Sequence, residues 1–220
     1  MNDYEAKKFY QKIKNATDYE SQYQTPLSLA NFRARAIDWG ERRAFLYLLR
    51  QVPESKSVLD IACGTGRYLE ILLKKGFQVG GIDISEEMLA FARQRLQEYK
   101  NLMFTQRGDA EQLPFESQQF DLVTCMRLYH RIPADIRRRM LSEVKRVGTG
   151  KALLFFGMST PYLKIRHTLR DLFIPGRPSN PFPLTMEQLR QELASVGLQY
   201  QDSKWVLPFL GEGLMVYVTW

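Results

Sequence analysis

The chain has 220 residues, 45% of them hydrophobic and 12% aromatic, which suits one α/β domain with a packed core and argues against a disordered or fibrous protein. A formal net charge of +7 attracts anions in general, without choosing among nucleic acid, lipid headgroups and small acidic molecules. Acidic residues are scattered among the basic ones, unlike a dedicated nucleic-acid arm. The two cysteines, Cys63 and Cys125, sit in apolar runs and argue against a disulfide framework.

Residues 1–15 are polar and charged, unlike a secretory leader, and no apolar run is long enough for a membrane span, so a cytoplasmic protein is expected. A helix is expected at 4–13. A second is expected at 29–50, with Ile37, Phe45, Leu48 and Leu49 as apolar positions and Pro53 closing it. The period then changes. A short buried strand at 57–62 runs into the turn Cys63-Gly64-Thr65-Gly66. Helical spacing resumes at 68–75 and Gly76 ends it. A second buried strand covers 77–84. Ser85 follows as an N-cap, with Glu86 and Glu87 in the first turn of a helix.

Strands at 102–106 and 120–125, a basic helix at 135–147 and a strand at 151–156 continue the alternation. It breaks near the end, where a helix at 187–196 precedes strands at 199–206 and 214–220. These two are joined through Pro208 and Gly211-Glu212-Gly213, which suits a hairpin. The expected fold is a Rossmann-like, doubly wound α/β sheet, mostly parallel, with helices on both faces and an antiparallel C-terminal hairpin. Residues 1–220 read as a single domain, with an N-terminal helical segment at 1–50 and an insert at 157–183.

The turn after the first strand carries the chemistry. Glycines at a strand-to-helix turn let a ligand approach the backbone with no Cβ in the way. Ligands of doubly wound sheets lie at the carboxyl ends of the strands, where strand order reverses. The next strand ends at Asp83, 23 positions after Asp60. An acid about 20 positions on is where a ribose hydroxyl pair is held. The spacing departs from the dinucleotide pattern, because Arg67 and Leu69 stand where a last glycine is wanted, and this counts against NAD or FAD.

The run Val58-Leu59-Asp60-Ile61-Ala62-Cys63-Gly64-Thr65-Gly66 resembles motif I of class I S-adenosylmethionine-dependent methyltransferases, with Ala62 in place of its first glycine. Gly80-Gly81-Ile82-Asp83-Ile84-Ser85 resembles the acidic-loop motif that follows. Gly108-Asp109-Ala110-Glu111-Gln112-Leu113-Pro114-Phe115 resembles a third family segment. Phe120-Asp121-Leu122-Val123-Thr124 with Leu128-Tyr129-His130-Arg131-Ile132 resembles a fourth. The likeness is to the type 11-like group, which includes ubiquinone- and menaquinone-type small-molecule enzymes. It implies S-adenosyl-L-methionine as cofactor and S-adenosyl-L-homocysteine as product. It further implies that backbone around Ala62, Gly64 and Gly66 lines the methionine part, with Asp60 close to the positive cofactor. Asp83 would bind the ribose. Ile84 and Met88 would pack near the adenine, Asp109 would bind its amino group, and Ala110 would sit beside the ring. Met126 would lie under the sulfonium.

On the acceptor side, His130 after the fourth strand is the candidate base for a hydroxyl nucleophile; the alternative is a residue that only orders the loop or lines the cofactor pocket. Arg35 is a candidate partner for the cofactor carboxylate, and Tyr19 and Tyr10 are candidates to close over the site. In the insert, Tyr162, Ile165, Leu169 and Leu172 share a helical face, with Lys164, Arg166, His167 and Arg170 elsewhere around it. A lid over an apolar or aromatic acceptor, a membrane-touching helix at 162–173 and a helix packed on the sheet all remain open. Arg137-Arg138-Arg139 reads as a solvated face. Nothing visible requires a metal. The sequence leaves the oligomeric state and the methylated element open. The expected activity is methyl transfer to a small-molecule acceptor. The alternatives are a non-catalytic S-adenosylmethionine-binding regulator or an RNA-directed enzyme. Cys125-Met126-Arg127-Leu128, where base-amino methyltransferases carry an N-P-P-Y-type motif, disfavours amino-directed base methylation and leaves RNA ribose or tail targets open.

Overall fold

The structure is a computed structural model and describes residues 29–52, 54–163, 165, 181–208 and 211–220. Seven strands form one sheet: β1 (Ser57–Ile61), β2 (Gln78–Asp83), β3 (Leu102–Arg107), β4 (Leu122–Cys125), β5 (Lys151–Gly157), β6 (Gln199–Trp205) and β7 (Gly213–Thr219). Their order across the sheet is β3-β2-β1-β4-β5-β7-β6. All neighbours up to β5 are parallel, and β7 runs antiparallel to both β5 and β6. The chain winds outward from β1 to β3, then returns to lay β4 on the other side of β1. The carboxyl ends of β1 and β4 therefore bound the crevice where a doubly wound sheet takes its ligand.

Five helices are described: α1 (Leu29–Leu49), α2 (Arg67–Lys74), α3 (Glu86–Leu96), α4 (Ala134–Val147) and α5 (Met186–Ser195). The strand pleat sorts the apolar residues into two layers. Phe45, Leu48, Val58, Leu69, Leu72, Leu89, Met126 and Phe155 pack on the face covered by α1, α2 and α3. Leu59, Ile61, Ile136, Met140, Leu141, Leu189, Phe156 and Val216 pack on the face covered by α4 and α5. Burying each Leu or Phe of these layers contributes about 1.5–3 kcal/mol. Ser85 caps α3 by accepting Met88 N–H at 3.3 Å, as its sequence position predicts. Thr185 and Gln188 close a capping box on α5.

Three expectations need correction. The fourth strand begins at Leu122, not 120, because Phe120 makes only an isolated bridge to Gly148 before the ladder starts. Arg137 is not solvated: it is 2% exposed and forks Glu192 of α5, with Nη2 to Oε2 at 2.7 Å. Each residue turns a helix by about 100°, so the first of three arginines points toward α5 while Arg138 and Arg139 stay in water. Of the face expected in the insert, Tyr162 and Ile165 are exposed, whereas the neighbouring Leu163 is buried. Leu169, Leu172, Lys164, Arg166, His167 and Arg170 lie outside the described residues, as does the helix expected at 4–13.

Candidate functional site

The turn after β1 is built from backbone that L side chains rarely adopt. Ala62, Gly64 and Gly66 have φ of +56°, +55° and +79°. A Cβ added at Gly64 would meet no atom of the described residues within 4 Å, so among these the turn is open on that side. A Cβ at Gly66 would press to 3.1 Å on Ala92 and Leu96 of α3, so glycine there permits close packing. The sequence lacks a third glycine in α2, and Gly81 of β2 supplies the missing room: a Cβ there would lie 2.7 Å from Leu69 and 2.9 Å from Cys63 Sγ.

Asp83, the last residue of β2, reaches back to this turn. Its Oδ2 accepts Gly64 N–H at 2.8 Å and its Oδ1 accepts Ser85 N–H at 2.9 Å. Burial raises its pKa above the ordinary carboxylate value, and these backbone donors pull it down in part. The Gly108 N–H bonds Asp83 O at 2.9 Å, which brings the end of β3 alongside. Asp109 Oδ1 then accepts Glu111 N–H at 3.0 Å, shaping the turn that carries half-buried Ala110. Ile84 is half-buried and Met88 buried at the same sheet end. The ribose and adenine candidates chosen from sequence therefore share one end of the sheet.

Asp60 is 1% exposed in β1, opposite Thr124 of β4, whose hydroxyl donates to its Oδ1 at 2.6 Å. Burial pushes this carboxyl up to about 7; the Thr124 bond pulls it down and the charge of Asp83 pushes it further up. A buried carboxyl poised near neutrality favours a cation arriving beside it.

After β4, Met126 is buried and Arg127 has φ +59°. Arg127 Nε lies 3.6 Å from Oε1 of buried Glu41 on α1, and Tyr68 OH donates to Glu41 Oε2 at 3.3 Å. Arg67, the first residue of α2, pairs with Asp38, which also accepts Arg42 Nε at 3.0 Å. Glu41 and Asp38 thus fasten α1 to both sides of the crevice. The motif reading passed over Asp38, Glu41, Arg67, Thr124 and Arg127. Arg67 and Arg127 adjoin motif residues, but their partners on α1 carry no motif and are visible only after folding. Arg35 is exposed on α1, and it is Asp38 and Glu41 that engage the crevice residues. Tyr19 and Tyr10 lie outside the described residues.

His130 sits in a 3₁₀ turn, Tyr129–Arg131, that crosses the sheet edge. Tyr129 stacks on Phe156 at 5.2 Å in one layer, while the His130 ring meets Phe155 edge-on at 5.8 Å on the other. His130 Nε2 accepts Arg131 Nε–H at 3.2 Å, and its Nδ1 is buried without a partner among the described residues. Burial, followed by the charges of Arg131 and Arg127, pushes its pKa down to about 3.

Known proteins are similar to this chain in sequence and fold. A family model described as a methyltransferase domain matches residues 58–149. The chain is 43% identical over 74 residues to the protein named as methyltransferase YqeM of Bacillus subtilis (strain 168), covering 34% of this chain and 30% of that one. It is 30% identical over 124 residues to the ubiquinone biosynthesis O-methyltransferase of Coxiella burnetii (strain Dugway 5J108-111), covering 56% and 53%. The chain thus spans about a third to about half the length of these curated relatives. Magnesium protoporphyrin IX methyltransferase from Synechocystis PCC 6803, solved with bound SAH, shares the fold with a TM-score of 0.77 at 20% identity, over 97% of this chain and 99% of that one. No helix among the described residues is long and apolar enough to cross a membrane. Residues 58–149 are thus similar to methyltransferase domains, and they are set in a Rossmann-like sheet.

Proposed function

We propose that the chain, acting as one domain, transfers a methyl group from S-adenosyl-L-methionine to an oxygen of a small apolar or aromatic molecule. The observation that carries this reading is the Asp83 carboxylate held against the Gly64 amide at the reversal of strand order. Asp83 accepts Gly64 N–H on one oxygen and Ser85 N–H on the other, and a carboxylate's four lone-pair sites leave room to receive ribose hydroxyls. The open side of Gly64 fits a ligand lying against the backbone.

The cofactor would supply an electrophilic methyl group on a sulfonium. The chain would supply alignment and exclusion of water. Ile84 and Met88 would flank the adenine, with Asp109 and Ala110 at its edge. Backbone of Ala62, Gly64 and Gly66 would line the methionine part, and Met126 the reacting centre. Asp60 would ionise to balance the incoming positive charge. Met126 and Phe155 give the acceptor side an apolar wall. Oxygen as the methylated atom is supported by the named activity of the Coxiella relative. Met158 and Leu184, on either side of the insert, are joined by a bridge.

Calorimetric titration tests this reading. S-adenosyl-L-methionine and S-adenosyl-L-homocysteine should bind the wild type and not Asp83→Ala, and NAD should bind neither. Binding of NAD in preference, or no binding of either sulfur compound, sinks it.

A further inference from the structure

His130 is placed to touch a bound acceptor, yet its hydrogen bonds do not suit a base. It follows β4 by five residues and lies edge-on to Phe155 of β5, at the carboxyl ends of the two strands beyond the glycine turn. An imidazole removes a proton through a free lone pair. The Nε2 lone pair is taken, because Arg131 Nε–H donates to it at 3.2 Å. A neutral ring with Nε2 as acceptor carries its proton on Nδ1. That Nδ1 is buried and has no partner among the described residues. A buried donor left unpaired is costly, so the site is built for an arriving acceptor atom.

We infer that His130 recognises the methyl-accepting molecule by donating its Nδ1–H to an oxygen of that molecule, and does not take the nucleophile's proton. This rests on the methyltransferase reading for the identity of the bound molecule. The Nδ1–H assignment itself needs only the hydrogen bonds. Surroundings agree with it. The loss of water, then the charges of Arg131 and Arg127, oppose a second proton on the ring, so it stays a neutral donor across the physiological range. The edge of Phe155 fixes the ring plane, so the N–H direction is set before the ligand enters.

The chain has two histidines, which makes nitrogen NMR decisive. Long-range proton–nitrogen correlation of the labelled wild type, with His130→Asn identifying the signal, should show Nδ1 protonated and Nε2 unprotonated from pH 5 to pH 8. Phenol is then titrated into the complex with S-adenosyl-L-homocysteine, with toluene as the isostere that lacks the oxygen. Phenol should move the His130 Nδ1 proton signal downfield, and toluene should not. His130→Asn keeps a donor near Nδ1 and should hold phenol within about threefold of wild type. His130→Phe should weaken it at least tenfold, the equivalent of one hydrogen bond of about 1.4 kcal/mol. Both variants should bind S-adenosyl-L-homocysteine as wild type does, which reports folding. An Nε2–H ring, titration near neutrality, or a phenol response matched by toluene or absent overturns the inference. If neither sulfur compound binds the wild type, phenol is titrated into the free protein; a retained tautomer and phenol shift then leave the inference standing and remove the proposed function alone.

Discussion

Asp83 Oδ2 accepts the Gly64 N–H at 2.8 Å, so the end of β2 and the turn after β1 form one rigid wall. The same carboxylate orders the start of α3 through Ser85. Asp83→Ala removes both bonds but also relieves the burial of a charge, and these partly cancel, for a net loss of about 1–3 kcal/mol. Cofactor affinity has no such compensation. The variant should remain folded by circular dichroism at 25 °C while cofactor binding falls by more than tenfold. Equal losses of stability and affinity would make Asp83 a structural residue only.

Ala62 occupies left-handed backbone, φ +56°, where the resembling motif has glycine. That conformation costs an L residue about 1–2 kcal/mol, while a glycine loses more chain entropy on folding by about 0.5–1 kcal/mol. Ala62→Gly should therefore match or exceed the wild type in stability, by up to about 1 kcal/mol. Ala62→Val, with its β-branch, should fall below it. Urea unfolding midpoints for the three proteins check the order. A valine variant as stable as the wild type would mean the turn relaxes out of this conformation.

Much of this architecture is legible in the sequence because it depends on local signals. The period change at Ser57, the glycine turn and the Ser85 cap each sit within a few residues of their cause. Motif order puts Asp83 and Gly64 at the ends of neighbouring strands, while the bond between them is visible only in the fold. Illegible parts depend on partners far along the chain. Arg137 and Glu192 are 55 positions apart, and nothing near Arg137 distinguishes it from Arg138. Glu41 looks like an ordinary helix-surface acid until α1 is laid against Arg127 and Tyr68. The His130 tautomer is set by its neighbour's side-chain direction, which spacing does not encode.

Asp60 predicts an unusual pH dependence. Its pKa is about 7 in the folded chain and about 3.9 unfolded, so the folded state holds the proton more tightly. Its contribution to stability is full below about pH 4 and is lost as pH rises toward 7. Asp121 and Glu143, whose pKa values are lowered, act in the opposite sense and lose their contribution as pH falls. Comparing wild type with Asp60→Asn cancels those two. The asparagine can still accept the Thr124 hydroxyl, so the difference in melting temperature should grow in favour of the variant between pH 4 and pH 7, then level off. A difference independent of pH would show that Asp60 is an ordinary carboxylate. The variant should also bind the positively charged cofactor more weakly at pH 8, because its site no longer gains a negative charge there.

Arg137 and Glu192 form a buried pair that joins α4 to α5, and Arg137 also donates to the Tyr129 and Ile132 carbonyls at 3.2 and 3.1 Å. Removing one partner leaves the other charge buried and uncompensated, at about 3–5 kcal/mol. Arg137→Met and Glu192→Leu should each be strongly destabilised by urea unfolding. Together they replace a desolvated ion pair with apolar side chains, so the double variant should recover most of the loss. Recovery of stability need not restore the turn. With no guanidinium on the two carbonyls, the 3₁₀ segment carrying His130 loses its anchor, and the His130 signal should broaden in the double variant even where its melting temperature matches wild type. Additive losses in the double variant would instead mean that the two residues stabilise the fold independently of one another.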